Sequence, residues 1–118
     1  MSRVAALLTL IAVAPQAFAV EKPHCDPIDE TIRLPGPNLS LAELERIGLA
    51  RARTNPAAPQ VTWAYGHDDW LLLKAMYRPG DQIRAYEQRW CPGGKPFSWG
   101  YALVRGQCVL GSLATGMS

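Results

Sequence analysis

Apolar and polar positions follow several different patterns along this chain. Val4–Ala14 is an apolar run interrupted only by Thr9. From Leu39 the period becomes helical. Leu41, Leu44, Ile47 and Gly48 fall on one face, and Glu43, Glu45, Arg46 and Arg53 mostly fall elsewhere. Ser40 and Glu43 have the spacing of a capping box, with Leu39 and Leu44 spaced as a hydrophobic staple. Arg51 and Arg53 suit the carbonyl end of that helix, and Asn55-Pro56 ends it. Gly48 costs the helix about 1 kcal/mol relative to Ala unless close packing requires it.

Alternation replaces the helical period at Gln60–Tyr65, where Val61, Trp63 and Tyr65 predict a short strand. After Gly66-His67, Asp68 or Asp69 is positioned to cap a second helix running to about Tyr77. That helix, Trp70-Leu71-Leu72-Leu73-Lys74-Ala75-Met76-Tyr77, is apolar nearly all round, which predicts burial on more than one side. Pro79-Gly80 stops it. Asp81–Gln88 alternates as a strand, with Ile83 and Ala85 opposite Arg84 and Tyr86. Pro92-Gly93-Gly94 and Pro96 predict an irregular loop from Trp90 to Trp99.

Tyr101–Val104 and Cys108–Leu113 form a closing hairpin, and Ala114–Ser118 a frayed tail. Two registers are open. A turn centred on Gly106-Gln107 pairs Val104 with Val109 and Leu103 with Leu110; one centred on Arg105-Gly106 pairs Leu103 with Cys108. Glycine at the first central position of a type II′ turn favours the former. Helix, short strand, helix and meander together predict an α+β fold. It is a small antiparallel β-meander sheet of three to five strands, with two helices packed on one face.

Export changes how the start of the chain is read. Met1-Ser2-Arg3, the apolar run and Ala17-Phe18-Ala19 have the order of a secretory signal peptide, residues 1–19, cleaved near Ala19. The run is too short for a membrane anchor, which needs about 20 residues. Residues 20–38 hold Pro23, Pro27, Pro35 and Pro37 and read as an extended N-terminal arm. Ile28, Ile32 and Leu34 in it are available for an edge strand or a clasp across the core. Residues 39–118 make a single domain. Removing Arg3 leaves 11 of the 12 basic residues against 10 acidic ones, which argues against a nucleic-acid binder or a polybasic membrane-surface module. The mature protein is therefore expected in the periplasm or outside the cell, with no stable membrane insertion.

An oxidising compartment favours pairing among Cys25, Cys91 and Cys108. We expect a structural Cys91–Cys108 bridge, since no Cys-x-x-Cys is present. Cys25 is then left over, as a free thiol or as a bridge to another molecule such as a second copy. Were Cys25 to take one of the other two, the arm would become the stapled element.

Few residues suggest chemistry. His24-Cys25-Asp26 are adjacent and converge poorly on one ion, so no metal or other cofactor is expected. His67 beside Asp68 and Asp69 has the makings of a general base, but helix capping accounts for both carboxylates. The aromatic group Trp90, Phe97, Trp99 and Tyr101, with Lys95 and Arg105 nearby, is the candidate binding surface. Core packing is the competing use for these rings.

Pro79-Gly80-Asp81-Gln82-Ile83-Arg84-Ala85-Tyr86, then Ser98-Trp99, then Gly100-Tyr101-Ala102-Leu103-Val104-Arg105-Gly106 resembles a pattern in small uncharacterised bacterial exported proteins. In those, a Gly-Asp-x-Ile/Leu-Trp-x-Phe strand precedes a Ser-Trp loop and a Gly-Tyr-Ala-Leu-Val-Arg-x-Gly hairpin. This chain departs in Arg84, where an aromatic is usual, and in its Cys/Pro/Gly insertion before Ser98. The resemblance implies an aromatic strand and hairpin packed as one unit, and implies no activity.

The function expected from these features is an exported, non-enzymatic binding module. One form of it is an inhibitor or immunity-type protein acting on a cell-envelope protein. The alternatives are a small periplasmic enzyme using His67 with Asp68 or Asp69, and a structural subunit of an envelope assembly bridged through Cys25.

Overall fold

A computed structural model describes residues 24–118. The expected signal peptide and its expected cleavage point lie outside the described residues. Strands β1 (Asp26–Pro27) and β2 (Ile32–Arg33) come from the arm. Helix α1 (Leu41–Thr54), a 3₁₀ turn at Ala64–Gly66, helix α2 (His67–Met76) and strands β3 (Gln82–Arg89), β4 (Pro96–Arg105) and β5 (Cys108–Met117) follow. The five strands form one antiparallel sheet in the order β1-β5-β4-β3-β2. The fold class is α+β, with β3–β5 as the meander.

The period of two divides the sheet into two faces. Ile83, Leu103 and Leu113 face the helices and pack with Leu44, Trp63, Trp70 and Leu73. Burying each such Leu or Ile contributes about 1.5–3 kcal/mol. On the opposite face Tyr86, Ala102, Val104 and Val109 are covered by Ile28, Ile32 and Leu34 of the arm. The arm therefore crosses the whole sheet, pairing with β5 at one edge and with β3 at the other. Arg84 helps to hold it, its guanidinium donating to the carbonyls of Leu34 at 2.7 Å and Gly36 at 3.0 Å.

Helix α1 starts as its capping box requires. Ser40 Oγ accepts from the Glu43 N–H and Glu43 Oε1 accepts from the Ser40 N–H, each at 3.0 Å. The Ser40 contacts hold the Glu43 carboxyl below its ordinary value. Its end is tied down by the loop that follows: Gln60 Nε2 donates to the carbonyls of Ala52, Asn55 and Ala58.

The disulfide joins Cys25 to Cys108, with Cα atoms 5.0 Å apart, and Cys91 is an exposed free thiol. The expected Cys91–Cys108 bridge is thus corrected, and with it the idea of a dimer through Cys25. The reason is sheet topology. β1 pairs with the start of β5, bringing Cys25 beside Cys108, whereas Cys91 follows β3 at the other end of the sheet. An intramolecular disulfide belongs to an oxidising, extracellular-type environment. Among the described residues no helix is long and apolar enough to cross a membrane.

Four further expectations change. Gln60–Tyr65 is not a strand. Trp63 and Ala64 adopt left-handed backbone, φ 67° and 50°, so that the chain reverses and buries the Trp63 indole. Asp68 and Asp69 do not cap α2, because the helix already begins at His67, with Gly66 at the cap position. They lie in its first turn, where negative charge suits the helix dipole. α2 buries Trp70 and Leu73 but exposes Leu71 and Leu72, since only one side meets the sheet. Ala114–Met117 is not frayed but continues β5 against Ser98–Gly100 of β4.

The hairpin turn is at Gly106-Gln107, with Val104 opposite Val109 and a positive φ of 60° at Gly106. Leu103 pairs with Gly111 and not with Leu110, because a bulge inserts Leu110 and turns it towards the helix-side core.

Candidate functional site

The groove that best fits a binding role lies on the helix side of the sheet, beyond the end of α1. It measures about 520 Å³, is open to solvent, and is lined by Trp99, Tyr101, Arg51, Glu87, Pro35, Pro96, Ala85, Gly100 and Thr115, with Tyr86 at its edge. β4 supplies the two rings. Trp99 and Tyr101 are two residues apart and share one face.

Each ring is seated by a small residue or a second aromatic. Trp99 pairs across the ladder with Gly116, and its ring lies over that glycine. A Cβ at Gly116 would stand 2.5 Å from Trp99 Cζ2. The indole keeps 39% of its surface exposed. Tyr101 leans against buried Trp63, ring centroids 5.5 Å apart and planes tilted by 54°. Arg51 lies over the Trp63 ring, its guanidinium carbon 5.9 Å from the centroid.

Charge in the groove is unequal. Glu87 is paired with Arg89 at 3.0 Å. Arg51 has no carboxylate within ion-pair distance among the described residues. The arrangement can therefore stack a planar or aliphatic group on Trp99 and offer a cation to an anionic one.

The residues singled out from the sequence do not all meet here. Trp99 and Tyr101 line the groove. Trp90 is 79% exposed and stacks on Phe97, centroids 4.1 Å apart and planes 15° apart, at the same end of the sheet. Lys95 is exposed beside them, after a tight turn at Cys91–Gly94 with Gly93 at φ 76°. The irregular loop is shorter than expected, since β4 already begins at Pro96.

Arg105 lies at the far end of β4, nine residues from Pro96, or about 30 Å at strand spacing. There it clasps Asp81 with two hydrogen bonds of 2.8 Å and reaches the Met76 carbonyl at 3.2 Å. The Arg105 hydrogen bonds hold the Asp81 carboxyl below its ordinary value against the opposing effect of burial, with help from the Arg78 N–H. Arg105 is thus a structural ion-pair partner.

His67 Nδ1 donates to the Thr62 carbonyl at 2.9 Å, and no hydrogen bond joins it to Asp68 or Asp69 among the described residues. A smaller cavity of about 290 Å³ lies under the arm, lined by Asp26, Asp29, Tyr86, Gln88 and Ser112 among others. Asp26 is hydrogen-bonded to His24 and Asp29 to Thr31, and the Thr31 contacts hold the Asp29 carboxyl below its ordinary value.

Sequence reasoning missed Arg51 and Trp63. Arg51 reads equally well as a helix-end residue, and Trp63 sits in an apparent strand pattern. The available signal for Trp63 was Gly48, a glycine within a helical pattern, which lies beneath its indole; no sequence signal distinguished Arg51. Comparison with protein-family models, with curated proteins and with solved structures yields no match.

Proposed function

We propose that this chain is an exported, non-enzymatic binding module that engages a cell-envelope protein, as an inhibitor or immunity-type protein does, through the Trp99–Tyr101–Arg51 groove. The signal-peptide pattern supports export, and the Cys25–Cys108 bridge is consistent with it. The observation that carries the reading is the seating of Trp99. A half-exposed indole held over Gly116 costs little entropy to immobilise on binding and offers a large contact area. The Trp90–Phe97 stack extends the aromatic surface at the same end of the sheet.

The test is affinity capture. The tagged mature domain, made in an oxidising compartment, is incubated with envelope extract, and bound proteins are identified by mass spectrometry. The captured partner is then purified and its affinity measured against wild type and a Trp90→Ala, Trp99→Ala double variant. Loss of at least about 30-fold with circular dichroism unchanged is the expected result, as two hot-spot aromatics imply. Unchanged affinity would remove the groove as the site.

A further inference from the structure

We infer that the partner binds as an added β-strand along the outer edge of β5 and delivers an acidic side chain to Arg51. This rests on the binding-module reading and specifies the chemistry of what is bound.

The two long edges of the sheet differ. The outer edge of β3 is covered: Ile32 and Arg33 pair with Gln88 and Glu87, Leu39 bridges to Ile83, and the Asn38 side chain accepts from the Ile83 N–H at 2.9 Å. β3 also carries Arg84, Glu87 and Arg89. β5 is covered only at its start, where Asp26 and Pro27 pair with Val109 and Cys108. Its sequence, Cys108–Met117, has no charged residue and no proline, the usual devices that protect an exposed edge.

The ladder indicates which groups are free. Arg105 and Cys108 flank a two-residue turn and form a hydrogen-bonded pair, and bonding alternates from there. Val109 therefore faces outward, as its pairing with β1 requires. Counted through the bulge at Leu110, Ser112 and Ala114 also turn their N–H and C=O groups outward. Both residues are exposed, and neither backbone has another partner outside the sheet among the described residues. Strand addition exploits such an edge, with main-chain bonds giving affinity and side-chain pockets giving specificity.

The pocket stands next to this edge. A cavity of about 380 Å³ lies on the helix side of β5, lined by Arg51, Thr54, Tyr65, Leu113 and Thr115 among others. A side chain on the helix-facing side of an added strand enters it beside exposed Tyr65. Arg51, which lines both this cavity and the Trp99 groove, is the cation there with no carboxylate of its own. Charge complementarity selects Glu or Asp at that position of the partner.

The probe is the blocked pentapeptide acetyl-Thr-Val-Glu-Val-Thr-amide, titrated into the isotope-labelled mature domain and followed by amide NMR shifts. Shifts centred on Ser112 and Ala114, with slowed hydrogen exchange there, are expected. Affinity should fall about tenfold for Arg51→Gln and for a probe with Lys in place of Glu. It should be abolished when alternate amides of the probe are N-methylated, a change that leaves the protein untouched. Shifts that avoid β5, or equal binding of the Glu and Lys probes, overturn the inference. So does a dimer in light scattering whose Ser112 and Ala114 amides are protected without peptide, since a second copy would then own the edge. Such a failure leaves the Trp99 result standing, because that test uses the captured partner and different residues.

Discussion

The indole of Trp63 occupies the space where a side chain on Gly48 would stand. A Cβ at Gly48 would lie 2.5 Å from Cδ1 and 2.7 Å from Cε2 of that ring, and the Gly48 carbonyl accepts from the Trp63 backbone N–H at 3.1 Å. The glycine that weakens α1 locally is therefore what lets the loop close onto it. Gly48→Ala gains about 1 kcal/mol of helix propensity but forces a buried ring aside at about 1–3 kcal/mol. The net expectation is destabilisation of about 1 kcal/mol in urea unfolding, with a shifted Trp emission. A stabilised variant would show that the ring moves freely.

Acid should unfold the domain partly through Asp81. Its folded-state carboxyl titrates below the unfolded value near 3.9, so the stability it contributes is fully present above that value. It is lost as pH falls through the depressed folded value. Asp81→Asn should lower Tm by roughly 5–10 °C at pH 7 and flatten the fall of stability below pH 4. Equal slopes in wild type and variant would place the acid sensitivity elsewhere.

The Cys25–Cys108 bridge closes 83 residues of sequence, which the chain-entropy model values at about 4.5 kcal/mol. Reduction, or Cys25→Ser with Cys108→Ser, should release the arm and expose Val109 and Ala102, read as a large loss of stability and faster exchange in β5. Cys91→Ser should change neither. Thiol titration of the native protein should find one reactive group, and a non-reduced digest should contain Cys25 linked to Cys108.

Gly116→Ala tests the seat of Trp99 without altering a ring or charge in the groove. The added methyl falls 2.5 Å from Cζ2, so the indole must lift towards solvent. Stability should change by under about 1 kcal/mol, since the ring is already half exposed, while Trp emission shifts to the red and partner affinity falls. Retained affinity would mean that the seating does not matter for binding.

Where neighbouring residues decided the structure, the sequence was sufficient. Ser40 and Glu43 start α1 through contacts three residues apart. Pro79-Gly80 ends α2 and turns into β3, and Gly106 sets the hairpin turn with Val104 opposite Val109, though not the bulge at Leu110. The period of two in β3 separated the two faces of that strand, and the order of the elements indicated the α+β class with both helices on one face. Trp99 and Tyr101 were visible as candidate binding residues because large rings there follow a stretch rich in glycine and proline.

Where the outcome depended on distant partners, local patterns misled. Alternation at Val61–Tyr65 is satisfied equally by a strand and by a reversal, and the seat on Gly48 selects the reversal. Cysteine spacing favoured Cys91 for Cys108, but the pairing of β1 with β5 brings Cys25 there instead. The sequence pattern assigns Arg51 to a helix end and Arg105 to the candidate binding surface. Tertiary structure spends Arg105 on buried Asp81 and leaves Arg51 without a carboxylate, because the distance between charges depends on how the strands and helices assemble and not on their separation along the chain.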